Sequence, residues 1–405
     1  MADEPSIPIA QPVEALRFFR EKGFAFGFAW QDVWQEEHAR AFTVAKCMRL
    51  DVLVDIRAAV DKAIAEGQTL DMFRKELSPI LVAKGWWGRQ RMIDPATGQS
   101  KVVQLGSPRR LKTIYRVNMR TAQAAGRWER IQRSKKLFPF LRYVSVMDGR
   151  EREEHRAWHD TIKSVDDPWW DTHYPPCGWN CRCQAQPLNQ RMMDAKGLSV
   201  TDEPPSFPEE DYLNSRTGEV TKVEEGIDPG WSYNVGKAYL QGTADAATRS
   251  MDAAIGAGLD DAARTTLKEI VDSPAFDRFL RMPTGAFPVA ILSEAERLMI
   301  GAGRRVVTLP GGVYEKQKRN HPDVTAEDYR RLPDIVSGAA VIVRQGAIRL
   351  IFHAERDTEG SAKWWKAIVR QDKGEPYPVV ISYQPASDKE IAREARKGEV
   401  IFDRR

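Results

Sequence analysis

The chain has 405 residues, 42% apolar and 29% charged, with a formal net charge of +4. That length gives room for two or three domains of a soluble globular protein. No uninterrupted apolar run approaches a bilayer span, so no membrane partner is expected.

The N-terminus, MADEPSIPIAQPVEALRFF, has early acids and prolines and no basic n-region, so it does not read as a signal peptide. Residues 1–14 are expected to form a flexible arm. Residues 14–30, EALRFFREKGFAFGFAW, are dense in Phe. They predict a short helix and an extended aromatic segment, which either docks on a partner or packs on its own domain. Leu50, Leu53, Ile56, Val60 and Ile64 repeat at helical spacing. Gly67 ends that helix, and Thr69 is placed to cap LDMFRKELSPILVAKG. Residues 84–106 predict a hairpin. Ser107 to about Ser134 predicts a long basic helix.

From Lys101 to Arg142 twelve lysines and arginines face a single acid, Glu129. Such a block suits a polyanionic partner or an acidic protein surface. A merely solvated basic face is the alternative.

The densest chemistry lies between Met147 and Cys183, in MDGREREEHRAWHDTIKSVDDPWWDTHYPPCGWNCRC. Three of the four cysteines and three of the six histidines fall here. Thiolate and imidazole are favoured zinc ligands, and clustered cysteines suit a metal site in a reducing compartment better than a disulfide scaffold. His155 and His159 are four apart, which on a helix puts both on one face. Cys177, Cys181 and Cys183 sit in a Pro/Gly loop able to fold back on that helix. A solvated charged helix without metal is the competing reading.

The run Asp148-Gly-Arg, His155, Asp166-Asp167-Pro168-Trp169-Trp170-Asp171-Thr172, Pro175-Pro176, Gly178-Trp179-Asn180-Cys181-Arg182-Cys183 resembles the signature of phage Mu F-like minor head (head morphogenesis) proteins. The resemblance extends over about residues 10–190. Cys177 stands where that family usually has Asn, and His159 where it usually has a small residue. The resemblance implies head assembly near the portal, contact with portal and major capsid proteins and with packaged DNA through the basic block 101–142, and a place in the virion. With the local chemistry it gives a structural zinc held by His155, Cys177, Cys181 and Cys183, with His159 and His173 in reserve.

Residues 190–232 are polar, with EPPSFPEEDY, and read as a linker anchored through Trp231 and Tyr233. Residues 237–281 read as Ala-rich helices. From Phe287 the runs FPVAILS, RRVVTLP, AAVIVRQ, IRLIFHAE, WWKAIVRQ and PYPVVISYQ predict strands, interrupted by one helix, TAEDYRRLPDIV. The fold class expected is multidomain α+β: a mainly helical head-morphogenesis module with a Cys/His loop, then an α+β domain with a mainly antiparallel sheet. The boundaries are an arm at 1–14, the head module at 15–190, a linker and helical segment at 191–284, and the α+β domain at 285–403.

That last domain, through VYEKQKRNHPDVTAEDYRRLP and the strands that follow, resembles phage nuclease-like domains of the barnase–EndoU–colicin–RelE superfamily. The resemblance implies metal-independent cleavage of RNA, with Lys318 and His321 in a Lys-x-x-His-Pro segment and Lys366 and Ser382 on later strands. Such chemistry needs a proton-transfer group and cations for the phosphorane charge. The alternative is an inactive nuclease fold kept for structural or nucleic-acid binding. His353 reads as a strand-end residue.

Overall fold

Leu53, Ile56, Val60 and Ile64 are all buried in the helix Leu50–Glu66. Gly67, at φ 67°, ends it in the left-handed conformation that a Cβ disfavours. The Thr69 hydroxyl accepts from the Met72 N–H at 3.3 Å and starts the helix Leu70–Ala83. Arg89–Ile93 then pairs antiparallel with Ser100–Gln104, the hairpin expected there. Ser107 caps the long helix Pro108–Ser134, with proline in its first turn where an N–H has no intrahelical partner. The computed structural model describes residues 12–355 and 364–404, so most of the expected arm at 1–14 lies outside the described residues.

The Phe-rich stretch divides in two. The helix Val13–Arg20 buries Phe18 and Phe19, while Phe24 and Phe26 stay exposed. That helix lies on Pro108–Ser134 at Gly126, where a Cβ would stand 2.7 Å from the Ala15 backbone nitrogen. Arg17 pairs with the buried Glu129, and Glu14 with Arg130 and Arg133. Gly126→Ala is therefore expected to cost about 1–3 kcal/mol through forced displacement of backbone. Denaturant unfolding checks this, and an unchanged midpoint would mean that the helix is not seated there.

The chain divides into two compact units, up to Tyr239 and from Leu240 onward, with the boundary inside the helix Val235–Gly256. In the first unit a three-stranded antiparallel sheet places Phe140–Val144 between Ile162–Ser164 and Gln184–Leu188. Residues 190–232, polar in sequence, are ordered on this unit. They carry the helix Gln190–Lys196 and the hairpin Glu209–Leu213 with Val220–Glu224. Arg216, in the hairpin turn, bonds to Asp94 through Nη1 at 2.9 Å and also pairs with Asp32. Tyr212 stacks on Trp34, with ring centroids 5.5 Å apart.

The second unit is built on a seven-stranded sheet among the described residues. Its order is Ala286–Ile291, Val306–Pro310, Val379–Ala386, Trp364–Arg370, Arg349–Glu355, Val341–Arg344, Glu399–Asp403. Every neighbouring pair is antiparallel except Val306–Pro310 with Val379–Ala386. Side chains alternate between the faces. Phe352, Trp365, Ala367 and Tyr383 join a large core with the helices between Ala244 and Val336. Val341, Ile351, Trp364 and Ile391 form a smaller core on the other face, beneath the helix Asp388–Lys397.

Candidate metal centre and its surroundings

The Cys/His segment folds so that its signature residues brace one another. Arg182, between two cysteines, donates through both terminal nitrogens to the Asp148 carboxylate at 2.6 Å each. Asp228 accepts from the Trp179 N–H at 2.6 Å and from Arg152 at 2.8 Å. A side chain at Gly178 would run into that Asp228 carboxylate. Asp167 accepts from the Trp169 N–H, and the Trp170 indole donates to the Ser164 carbonyl. Trp170 is wholly buried.

Within this frame His155, Cys181 and Cys183 converge. One ligand atom of each lies within 4.8 Å of the others, and all three residues are buried. His155 Nδ1 is 3.8 Å from the Cys181 sulfur and 3.4 Å from that of Cys183. Its Nε2–H donates to the Gly226 carbonyl at 2.8 Å. A carbonyl only accepts, so this bond leaves the Nδ1 lone pair facing the sulfurs, the arrangement by which metal-binding histidines are oriented. Hydrogen bonds from the Cys177 and Cys183 thiols, with help from His155, hold Cys181 well below the ordinary thiol range. Burial pushes Cys177 well up, and its sulfur also lies 3.4 Å from the His173 carbonyl. The donor chemistry fits a borderline-soft divalent ion such as zinc.

Cys177 adjoins the three converging ligands without joining them at that spacing. Glu151 competes for the same fourth place. Its side chain is 4% exposed, and its Oε1 lies 3.5 Å from both His155 Nδ1 and the Cys183 sulfur. The sequence signal was available, a carboxylate four residues before His155, but an acidic helix start hides it. Gly226 and Asp228 carried no signal at all.

The two reserve histidines are placed elsewhere. The helix expected to present His155 and His159 together is short, Glu153–Ala157, and Trp158 ends it by turning into the core. His159 Nδ1 instead accepts from the Ser145 N–H at 3.1 Å. His173 is stacked on Trp169 at 4.3 Å, and burial pushes it down to about 4.

The four residues expected to serve catalysis divide between the two sides of the sheet. Lys366 is buried with its Nζ 3.0 Å from Glu394 and 3.8 Å from Glu390, both on the helix Asp388–Lys397. Ser382 pairs with Ile368 on that same face, and its hydroxyl donates to Gln384. The helix Gly311–Asn320, which carries exposed Lys318 and is followed by His321, packs through Tyr314 into the core of the opposite face. His353 is fully buried in mid-strand, opposite Lys366, and bonds to Glu394 at 2.8 Å.

The basic block is partly neutralised. Arg130 and Arg133 are held by Glu14, Lys135 by Asp166 and Arg142 by Asp160. Arg109, Lys112, Arg116 and Arg127 on the long helix have no carboxylate partner among the described residues. No helix among the described residues is long and apolar enough to cross a membrane.

Residues 54–186 match the family described as "Phage Mu protein F like protein". The "Putative capsid assembly protein F" of Escherichia phage Mu is 44% identical over 255 residues, covering 59% of this chain and 57% of the relative. The "Mu-like prophage FluMu F protein" of Haemophilus influenzae is 38% identical over 222 residues, covering 52% of each. The chain thus spans about half the length of the curated relatives it matches. No solved structure gives a significant match.

Proposed function

We propose that this chain acts in phage head assembly, in contact with portal and major capsid proteins, and resides in the virion. The observation that carries the reading is the 44% identity with a capsid assembly protein over 255 residues. Two features of the first unit support it. Arg109, Lys112, Arg116 and Arg127 lie on one long helix with no carboxylate partner among the described residues, which suits a polyanion such as packaged DNA. Phe24 and Phe26 are exposed apolar side chains available to a capsid partner. Exchanging both phenylalanines for serine should leave a folded protein that no longer co-sediments with purified heads. Normal incorporation of that variant would remove the docking role.

The same proposal gives the first unit a structural zinc, held by His155, Cys181 and Cys183 with Cys177 or Glu151 as the fourth ligand. The ion would tie the Pro/Gly loop to the Glu153–Ala157 helix. For the second unit, a binding or structural module accords better with the side chains than a ribonuclease does. The support is that Lys366 is engaged by Glu394 and lies across the sheet from the His321 helix. RNA incubated with the full chain should remain intact. Cleavage that survives EDTA and disappears in His321→Ala would restore the enzymatic reading.

A further inference from the structure

A cavity of about 210 Å³ opens within the first unit, and nothing in the head-assembly reading uses it. Its walls are unusually aromatic: Trp30, Trp34, Trp179, Trp231 and Tyr233 all line it. Trp30 and Trp34 lie 5.5 Å apart, and Trp179 meets Trp231 edge-on at 5.2 Å. Gly230, at φ 83°, closes one side. A Cβ there would stand 3.1 Å from Trp30 and 3.2 Å from Trp34.

Some of the polar groups lining this space lack hydrogen-bond partners among the described residues. Trp34 is 7% exposed, and its indole nitrogen, a donor only, is buried without a hydrogen bond. The Thr43 hydroxyl, also in the lining, is in the same condition. Lys22 is 6% exposed and lies over the Phe18 ring at 4.8 Å, with no carboxylate paired to it among the described residues, and burial, with the Arg57 charge nearby, pushes its amine down to about 7. Buried donors of this kind are ordinarily satisfied, and leaving them empty is costly.

The sign of the charge decides what class of ligand fits. Aromatic walls by themselves would suit an alkylammonium ion. Here Lys22 and Arg110 line the cavity and no Asp or Glu does. Arg110 is occupied by the Ala45 and Gln104 carbonyls, and burial keeps His38 neutral by pushing it down to about 4. Lys22, Trp34 and Thr43 therefore offer donors without a partner here, and a carboxylate would accept from them and restore the charge that burial takes from Lys22. On size, an engineered apolar cavity of about 150 Å³ takes benzene, so 210 Å³ leaves room for a ring and a short acid arm.

We propose that this cavity binds an aromatic ring bearing a carboxylate, the ring lying among the tryptophans and the carboxylate meeting Lys22 and the Trp34 N–H. A free aryl acid and the C-terminal aromatic residue of another chain share that chemistry. The test uses the full chain and three probes: indole-3-propionate, tryptamine and 3-methylindole, followed by titration calorimetry and ligand-observed NMR. Indole-3-propionate should bind and tryptamine should not. Lys22→Met should weaken the acid about tenfold or more, the scale of a hydrogen bond to a charged group, and leave 3-methylindole unchanged. Trp34→Phe, which keeps a ring and removes the N–H, should also weaken the acid. An acetylated peptide ending in Trp, compared with its amide, distinguishes the sources. Competition by the free-acid peptide identifies a chain terminus, and failure of both peptides beside binding of the small acid identifies a free aryl acid. No binding of indole-3-propionate at a Kd near about 1 mM or below, or equal binding of tryptamine, overturns the proposal.

Discussion

Cys181→Ser should lower the stability of the first unit by more than about 4 kcal/mol, which places it in the extreme tail of single substitutions. The expectation follows from what surrounds that sulfur. Cys181, His155 and Cys183 are buried together, and the Arg182 and Gly226 contacts already fix their orientation. An ion bound only by the folded arrangement stabilises it by mass action. Metal analysis should find a single zinc per chain in the parent and none in the variant. The fourth ligand is separated by the same measurement, because either Cys177→Ser or Glu151→Gln, not both, should release metal at mild chelator concentrations. Metal-free parent protein that melts identically with and without chelator would sink the assignment.

The local signals in the chain were legible where they depend on neighbours in sequence. Gly67, Thr69 and Ser107 mark helix ends that the structure places there, because caps and left-handed turns are short-range chemistry. The six Val/Ile-rich runs after Phe287 became strands for a similar reason, since alternation and β-branching act residue by residue. What was hidden depends on distant partners. The polar stretch 190–232 looks like a linker because Arg216 reads as solvent-facing, yet its carboxylates are Asp32 and Asp94, far away in the chain. The edge strand Glu399–Asp403 has only Val400, Ile401 and Phe402 to declare it, and a partner strand supplies the rest. At the candidate site, residue types pointed to His155, Cys181 and Cys183. Trp158 cut the helix short and took His159 away, a packing decision that spacing cannot register. In the second unit Lys366 carries no mark of burial in the sequence. Its role is decided by Glu394, which arrives on a helix that the strand pattern did not announce.

That buried charge cluster supplies the other large effect. Glu394→Leu should destabilise the second unit by about 3–5 kcal/mol, the range for removing one partner of a buried pair. The carboxylate accepts from Lys366 at 3.0 Å and from His353 at 2.8 Å, and both partners are buried. Without it, Lys366 keeps only Glu390 at 3.8 Å, and the His353 ring loses its sole hydrogen bond among the described residues. Lys366→Met with Glu394→Leu should recover part of the loss, because replacing both ions by apolar groups removes the desolvation cost along with the attraction, and the remainder is the His353 ring left unpaired. The pH dependence has a definite sign. Burial alone would raise the Glu394 carboxyl, but its hydrogen bonds to His353 and Lys366 outweigh that and hold it below the ordinary 4.5. Its contribution is therefore fully present above about 4.5 and is lost as the pH falls through the lower folded value. Guanidinium unfolding followed by Trp364 and Trp365 fluorescence between neutral pH and pH 3 should show that decline in the parent and a smaller one in Glu394→Gln. A Lys366→Met variant of unchanged stability would mean that the lysine is held for another purpose, and phosphate binding on the open part of that face would again need testing.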